Sequence, residues 1–210
     1  MVPPANCGSR TLLEPGNEAL RVVDVTTLSD DWYVLRKYAI DYRRRDGAWR
    51  RMNREVYDRG NGAVILLYDR TAQTVVLVRQ FRLPAYVNAH PDGWLLEAPA
   101  GLLDARDPVQ AIRREVEEET GYRVGEVATL FTAYMSPGSV SERLHFFAAE
   151  IDPSMRIGQG GGCPEENEDI EVVAVPYQEA LAMIGRGEIV DAKTIMLLYH
   201  ARIGGLFDHR

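Results

Sequence analysis

The stretch EAPAGLLDARDPVQAIRREVEEETGY, residues 97–122, carries its own helix start and stop. Asp107 suits the N-cap, Pro108 the first helical position, and Gln110 lies three residues beyond the cap, as in a capping box. Gly121 is a residue on which helices end without steric cost. With about 3.6 residues per turn, Val109, Ala111, Ile112 and Val116 are expected to face inward, while Glu115, Glu118 and Glu119 gather on another face. Like charges at i,i+3 and i,i+4 destabilise a helix by roughly 0.2–0.5 kcal/mol per pair. Two compensations are open: a solvated face with Arg113 and Arg114 nearby, or a divalent cation, a hard ion that takes oxygen ligands.

Outward from this helix, AVILLYD and TVVLVRQF are unbroken apolar runs separated by a turn at residues 70–73, as expected of buried strands central to a mixed sheet. Residues 83–93 read as a loop leading to a short strand at 94–98. EVATLFTAY, LHFFAAEI and IEVVAV read as further strands, and residues 177–185 and 191–203 as helices with apolar residues at helical spacing. A mixed sheet covered by helices on both faces is an α/β sandwich in the wider α+β class. Upstream, residues 22–57 alternate and are rich in β-branched and aromatic types, with Asp46-Gly47 as a hairpin turn, so a small antiparallel sheet precedes the sandwich. The arginines of this sheet (Arg43, Arg44, Arg45, Arg50, Arg51) read as a solvated face or as a phosphate or partner surface. Asp58-Arg59-Gly60-Asn61-Gly62 breaks the pattern. The expected organisation is a tail at 1–20, the first sheet at 21–58 and the sandwich at 59–205.

The 210 residues suffice for one sizeable domain and an added element. Charged residues at 26% and apolar residues at 46% describe a soluble protein, and a formal charge of −7 argues against general nucleic-acid binding. No apolar run has the length of a bilayer span, and the first residues, MVPPANCGSR, lack the basic start and apolar core of an export signal, so a cytoplasmic setting is expected. Cys7 and Cys163 have no framework or metal spacing, which predicts reduced thiols.

The ordered set Gly101, Arg114, Glu115, Val116, Glu118, Glu119, Gly121 and Tyr122 resembles the signature of the Nudix hydrolases. The interval from Gly101 to Arg114 is one residue shorter than usual in that family, and Asp107 replaces its mid-spacer glutamate. Both departures lie before the helix and leave the carboxylates in phase. REVYDRGNGA, VVLVRQFR, LLEAPAGLLD, YMSPGSVSE and ENEDIEV are similar to segments of the GDP-mannose pyrophosphatases of the family and, more distantly, of its ADP-ribose pyrophosphatases, over roughly residues 22–200.

That resemblance implies the Nudix α/β/α sandwich with a mixed sheet, and a first sheet that crosses to a second subunit in a swapped homodimer. By the same resemblance, Glu115 and Glu119 match principal magnesium ligands, with manganese able to substitute. The main-chain carbonyl of Ala100 is a third ligand, Glu118 binds or bridges, and Arg114 orients a glutamate. In the loop GQGGGCPEENED, residues 158–169, Glu166 matches the general base and Glu168 a further ligand, and the glycines let the loop close over substrate. Arg82, Arg54 and Glu142 match substrate-side positions, and Arg79 joins them. An arginine fork suits a diphosphate, although each of these arginines could instead make a structural salt bridge. Trp32 or Tyr33 suits stacking on a nucleotide base, or packing within its own sheet. The implied reaction is hydrolysis of a nucleoside diphosphate sugar, GDP-mannose to GMP and mannose 1-phosphate. The alternative is ADP-ribose, giving AMP and ribose 5-phosphate. A reading of another class is a non-catalytic module that binds a nucleotide.

Overall fold

The computed structural model describes residues 18–163, 165 and 168–208. They fall into two compact units, one running to Asn61 and taking in Tyr134–Arg143, the other comprising Gly62–Ala133 and the chain from Leu144 onward.

The first unit is a three-stranded antiparallel sheet, β1 (Leu20–Asp30), β2 (Val34–Arg43) and β3 (Trp49–Asp58), in sequence order. Asp46 and Gly47 make the β2–β3 turn, where the Gly47 N–H donates to the Arg44 carbonyl at 2.9 Å. Residues 134–143, which the sequence assigns to the large domain, cluster here instead. Tyr57 donates to the Ser139 carbonyl at 2.8 Å, and Ser141 donates to the Tyr57 carbonyl at 3.1 Å.

The second unit is built on β4 (Gly62–Asp69) and β5 (Thr74–Phe81). They pair only near their turn, where Leu67–Asp69 meets Thr74–Val76, and then splay apart. Two short strands enter the mouth: β6 (Trp94–Glu97) pairs with β5, and β7 (Ala100–Leu102) pairs with β4. The sheet is completed by β8 (Ala128–Tyr134), β9 (Arg143–Glu150) and β10 (Ile170–Pro176), in the order β10-β5-β4-β9-β8. It is mixed, as expected, because β4 and β9 run parallel while its other registered pairs are antiparallel.

Seven of the eight residues of β4 are buried, since helices lie on both faces. Ala63, Ile65 and Leu67 face α2 (Pro108–Thr120), where they pack with Ile112, Val116 and Phe147. The intervening residues turn the other way: Leu66 and Ala148 lie beside Leu197 and Ala201 of α4 (Ala192–Ile203), and the Tyr68 ring lies 5.7 Å from that of Phe207. α3 (Tyr177–Arg186) lies against β10 and β5. Each large aliphatic side chain buried this way contributes roughly 1.5–3 kcal/mol.

Two sequence expectations need correction. Residues 83–93 are not all loop, because Leu83–Val87 forms a single helical turn, α1, with Pro84 near its start, where a missing N–H costs nothing. The strand expected at 94–98 stops at Glu97, and the unforeseen β7 comes after Ala98-Pro99.

Candidate metal and diphosphate site

Helix α2 begins and ends where its sequence signals lie. The Asp107 carboxylate accepts from the amides of Val109 and Gln110 at 3.0 and 3.2 Å, Pro108 comes next, and Gly121 closes the helix in the left-handed region. The three glutamates are not equivalent, which corrects the single charged face expected from the sequence. The Glu118 side chain is 40% exposed, that of Glu115 is 13% exposed, and Glu119 is 3% exposed on the inner side with Ile112 and Val116. A turn of about 100° per residue carries Glu119 toward the sheet, so it was the apolar face and not a separate acidic one that took it.

Glu119 reaches the mouth between β4 and β5, where one carboxylate oxygen accepts from the Ala100 N–H at 3.2 Å. It forms no ion pair among the described residues. Burial raises its pKa well above the ordinary carboxylate range, and the charges of Glu115 and Glu168 raise it further. The Ala100 N–H and the Arg82 charge act in the other direction more weakly. Glu115 lies against β7, and a Cβ on Gly101 would stand 2.2 Å from its Cδ, so a side chain there would displace the Glu115 carboxylate. Burial raises the Glu115 pKa to about 6, although Arg114 offsets part of the effect. Arg114 Nη2 donates to Glu115 Oε1 at 2.8 Å, and Nη1 reaches Glu118 Oε1 at 3.5 Å.

The loop carrying Glu168 is bound to the end of α2 by main chain. Gly158, Gly161 and Gly162 donate to the carbonyls of Gly121, Glu119 and Glu118 at 3.1, 2.9 and 3.1 Å, satisfying acceptors that a helix end leaves open. Gly160, at φ +72°, lies where a Cβ would meet the Glu119 carbonyl at 2.4 Å. These glycines permit close approach of the loop to the helix. Glu168 folds back to accept from the Cys163 N–H at 2.9 Å, and its charge bears on both Glu115 and Glu119. Glu166 lies outside the described residues.

Beside this cluster is a second carboxylate that the sequence motifs do not single out. Glu97 is 2% exposed and is gripped by Arg82, whose Nε and Nη2 donate to its two oxygens at 2.7 and 3.0 Å, and by the Lys193 ammonium. These cations overcome the cost of burial and hold the Glu97 pKa at about 2. A signal exists, since Glu97 is the one charged residue in the apolar run WLLEAPA.

Arg79, by contrast, stands half exposed beside Asp92 and Glu171 at 3.7 and 3.5 Å, with its guanidinium over Trp94. The remaining predicted positions belong to the first unit. There Trp32 is exposed, with its ring edge-on to Tyr33; Arg54 donates to its neighbour's carbonyl; and Glu142 pairs with Arg59 at 3.4 Å.

Among the described residues no three His, Cys, Asp or Glu side chains already stand together at ligating spacing. Arg114 draws Glu115 and Glu118 toward itself. The donor set still fits a divalent cation. Glu115 and Glu119 are hard oxygen donors one turn apart, and Glu119 is a buried carboxylate that makes no ion pair among the described residues.

Residues 19–57 match the family model described as the GDP-mannose pyrophosphatase NudK N-terminal domain, and residues 58–198 match the NUDIX domain. The chain is 58% identical over 186 residues to a GDP-mannose pyrophosphatase of Pectobacterium atrosepticum, covering 89% of this chain and 95% of that protein. A GDP-mannose pyrophosphatase of Yersinia enterocolitica is 55% identical over 179 residues (85% and 93% of the two chains), and one of Escherichia coli O1:K1 is 50% identical over 191 residues (91% and 99%). Among solved structures, an ADP compounds hydrolase superposes with a TM-score of 0.68 at 16% identity, covering 90% of this chain and 96% of that one, a likeness of fold.

Proposed function

Because the chain belongs to the NUDIX family and is a hydrolase of that family, we propose that it cleaves the diphosphate bond of a nucleoside diphosphate sugar. The substrate is GDP-mannose, and addition of water across the P–O–P bridge gives GMP and mannose 1-phosphate. The observation that carries this reading is the identity of 50–58% to relatives bearing that activity in their names, over at least 93% of their length. A non-catalytic module would have no use for all of Glu115, Glu118 and Glu119, and all are present.

A diphosphate beside a buried acidic cluster requires cations between them. In this proposal Glu115, Glu119, Glu168 and the Ala100 carbonyl hold magnesium, or manganese in its place, and Glu118 stands at the rim. When bound, the ion neutralises the diphosphate and lowers the pKa of an attacking water. Arg114 holds Glu115 in place, and Glu166, by the family resemblance, takes the proton of that water. Arg82, with Nε and Nη2 committed to Glu97, retains Nη1 for a phosphate oxygen. Arg54, Arg79, Glu142, Trp32 and Tyr33 complete the substrate side.

The proposal also includes a cytoplasmic homodimer. None of the described residues of the first unit is buried, and Val23, Val25, Leu28 and Trp32 stand exposed, so a second copy would cover apolar surface that this chain leaves open.

The test is a comparison of kcat/KM for GDP-mannose, ADP-ribose and other nucleoside diphosphate sugars with magnesium present, with products identified by phosphorus NMR. GDP-mannose is expected to lead. An equal or greater value for ADP-ribose would replace the substrate, and no turnover of any of them would end the reading.

A further inference from the structure

The turn from Glu97 to Gly101 touches both inner carboxylates of α2. The Ala100 N–H donates to Glu119, and Gly101 lies directly beneath Glu115. Its opposite side is held from the first turn of α4. Ala98 is 1% exposed, and its N–H, which would otherwise be buried without an acceptor, donates to Thr194 Oγ1 at 2.7 Å. Thr194 is wholly buried, and its hydroxyl donates in turn to Asp191 Oδ2 at 2.6 Å. A hydroxyl has one proton, so giving it to Asp191 fixes the rotor and aims a lone pair at Ala98. Asp191 also caps α4 through the Thr194 N–H at 3.0 Å and pairs with Lys193 at 2.9 Å, and Lys193 reaches on to Glu97. One helical turn therefore grips two consecutive residues of the turn, Glu97 by its side chain and Ala98 by its main chain.

We propose that Thr194 is a positioning residue for the Glu115–Glu119 pair, acting through the Ala98 N–H to set where Ala100 and Gly101 meet the two carboxylates. The inference rests on the functional reading above. Valine would fill the same volume without the acceptor, and serine would keep the acceptor without the methyl group, so hydroxyl and packing are separable.

Mn2+ binding, measured by electron paramagnetic resonance without substrate, is the primary readout, with kcat and KM for GDP-mannose alongside. All are taken at a temperature where circular dichroism shows each variant folded. Thr194→Val is expected to weaken Mn2+ about tenfold or more and to lower kcat more than it changes KM; Thr194→Ser restores both. A Thr194→Val protein that melts earlier yet binds Mn2+ like wild type assigns Thr194 to packing and overturns the inference. A serine variant as impaired as valine overturns it too. Should Thr194→Val fail to fold, Thr194→Ala, which adds no bulk, is judged by the same outcomes. Wild-type protein that neither binds Mn2+ nor hydrolyses GDP-mannose removes the functional reading and this inference together, whereas failure in the variants alone removes only the inference.

Discussion

Glu97 and Glu119 are both almost wholly shut away from solvent, at 2% and 3% exposure, yet their pKa values move in opposite directions. Glu97 holds two cations, one of them through both oxygens. Among the described residues Glu119 has one backbone N–H as a hydrogen-bond donor and no ion pair, and the two further carboxylates within electrostatic range outweigh the Arg82 charge. Burial penalises both charges alike, and the partners decide the outcome. The first neighbourhood is satisfied by these cations and ties Arg82, the residue after β5, to β6 and α4. The second, among the described residues, has no ion-paired cation to offset its burial.

The largest effect separating the two should come from Glu119→Gln, which keeps shape and removes the charge. Loss of a ligand should cost several kcal/mol of transition-state stabilisation, or at least roughly 100-fold in kcat. The same variant should melt no earlier than wild type without metal, because a buried carboxylate with no ion-pair partner among the described residues has gone, and should lose the rise in Tm expected of wild type on adding magnesium. A Tm response equal to wild type would erase the distinction between the two carboxylates.

Glu97→Gln is the mirror experiment. It strands Arg82 and Lys193 beside a neutral amide and should lower unfolding free energy by about 3–5 kcal/mol in urea titrations. A change near zero would mean that the ion-pair network contributes little to the fold.

Acid sharpens the same point. The Glu97 carboxyl sits at about 2 in the folded protein against an ordinary 4.5, so its stabilising contribution is present above pH 4.5 and disappears as pH falls from 4.5 through about 2. The full contribution is about 3 kcal/mol. The gap in urea stability between wild type and Glu97→Gln should therefore narrow on acidification across that window, and a constant gap would contradict the assignment. The smallest effect should be that of Asp107→Ala, which touches neither carboxylate and removes a cap worth about 1 kcal/mol, with the Mn2+ affinity of the folded protein unchanged.

Much of the fold is legible in the sequence because its signals are local. Asp107-Pro108 and Gly121 delimit α2 within a few residues of chain, and the unbroken apolar runs of β4 and β5 announce strands covered on both faces. The signature carboxylates are legible for the same reason. The insertion of β6 and β7 between splayed strands is not, because periodicity reports one strand at a time and carries no information on its neighbours. Glu97 shows the limit most plainly: its partners lie 15 and 96 residues away, at Arg82 and Lys193, and no window of sequence spans that set. The burial of Glu119 escapes for a different reason. A glutamate on a helix is read as solvent-facing by default, and only the tertiary packing of α2 on the sheet turns it inward.

The glycine strap at the end of α2 has a genetic corollary. Glycine codons differ only in their third base, so every substitution there is silent, and every amino-acid replacement from the first two bases brings a Cβ. At Gly160 that atom would land on the Glu119 carbonyl whichever amino acid carried it. A deep mutational scan would accordingly find tolerance at this codon split by base position and indifferent to side-chain chemistry, the mark of a site selected for having nothing there.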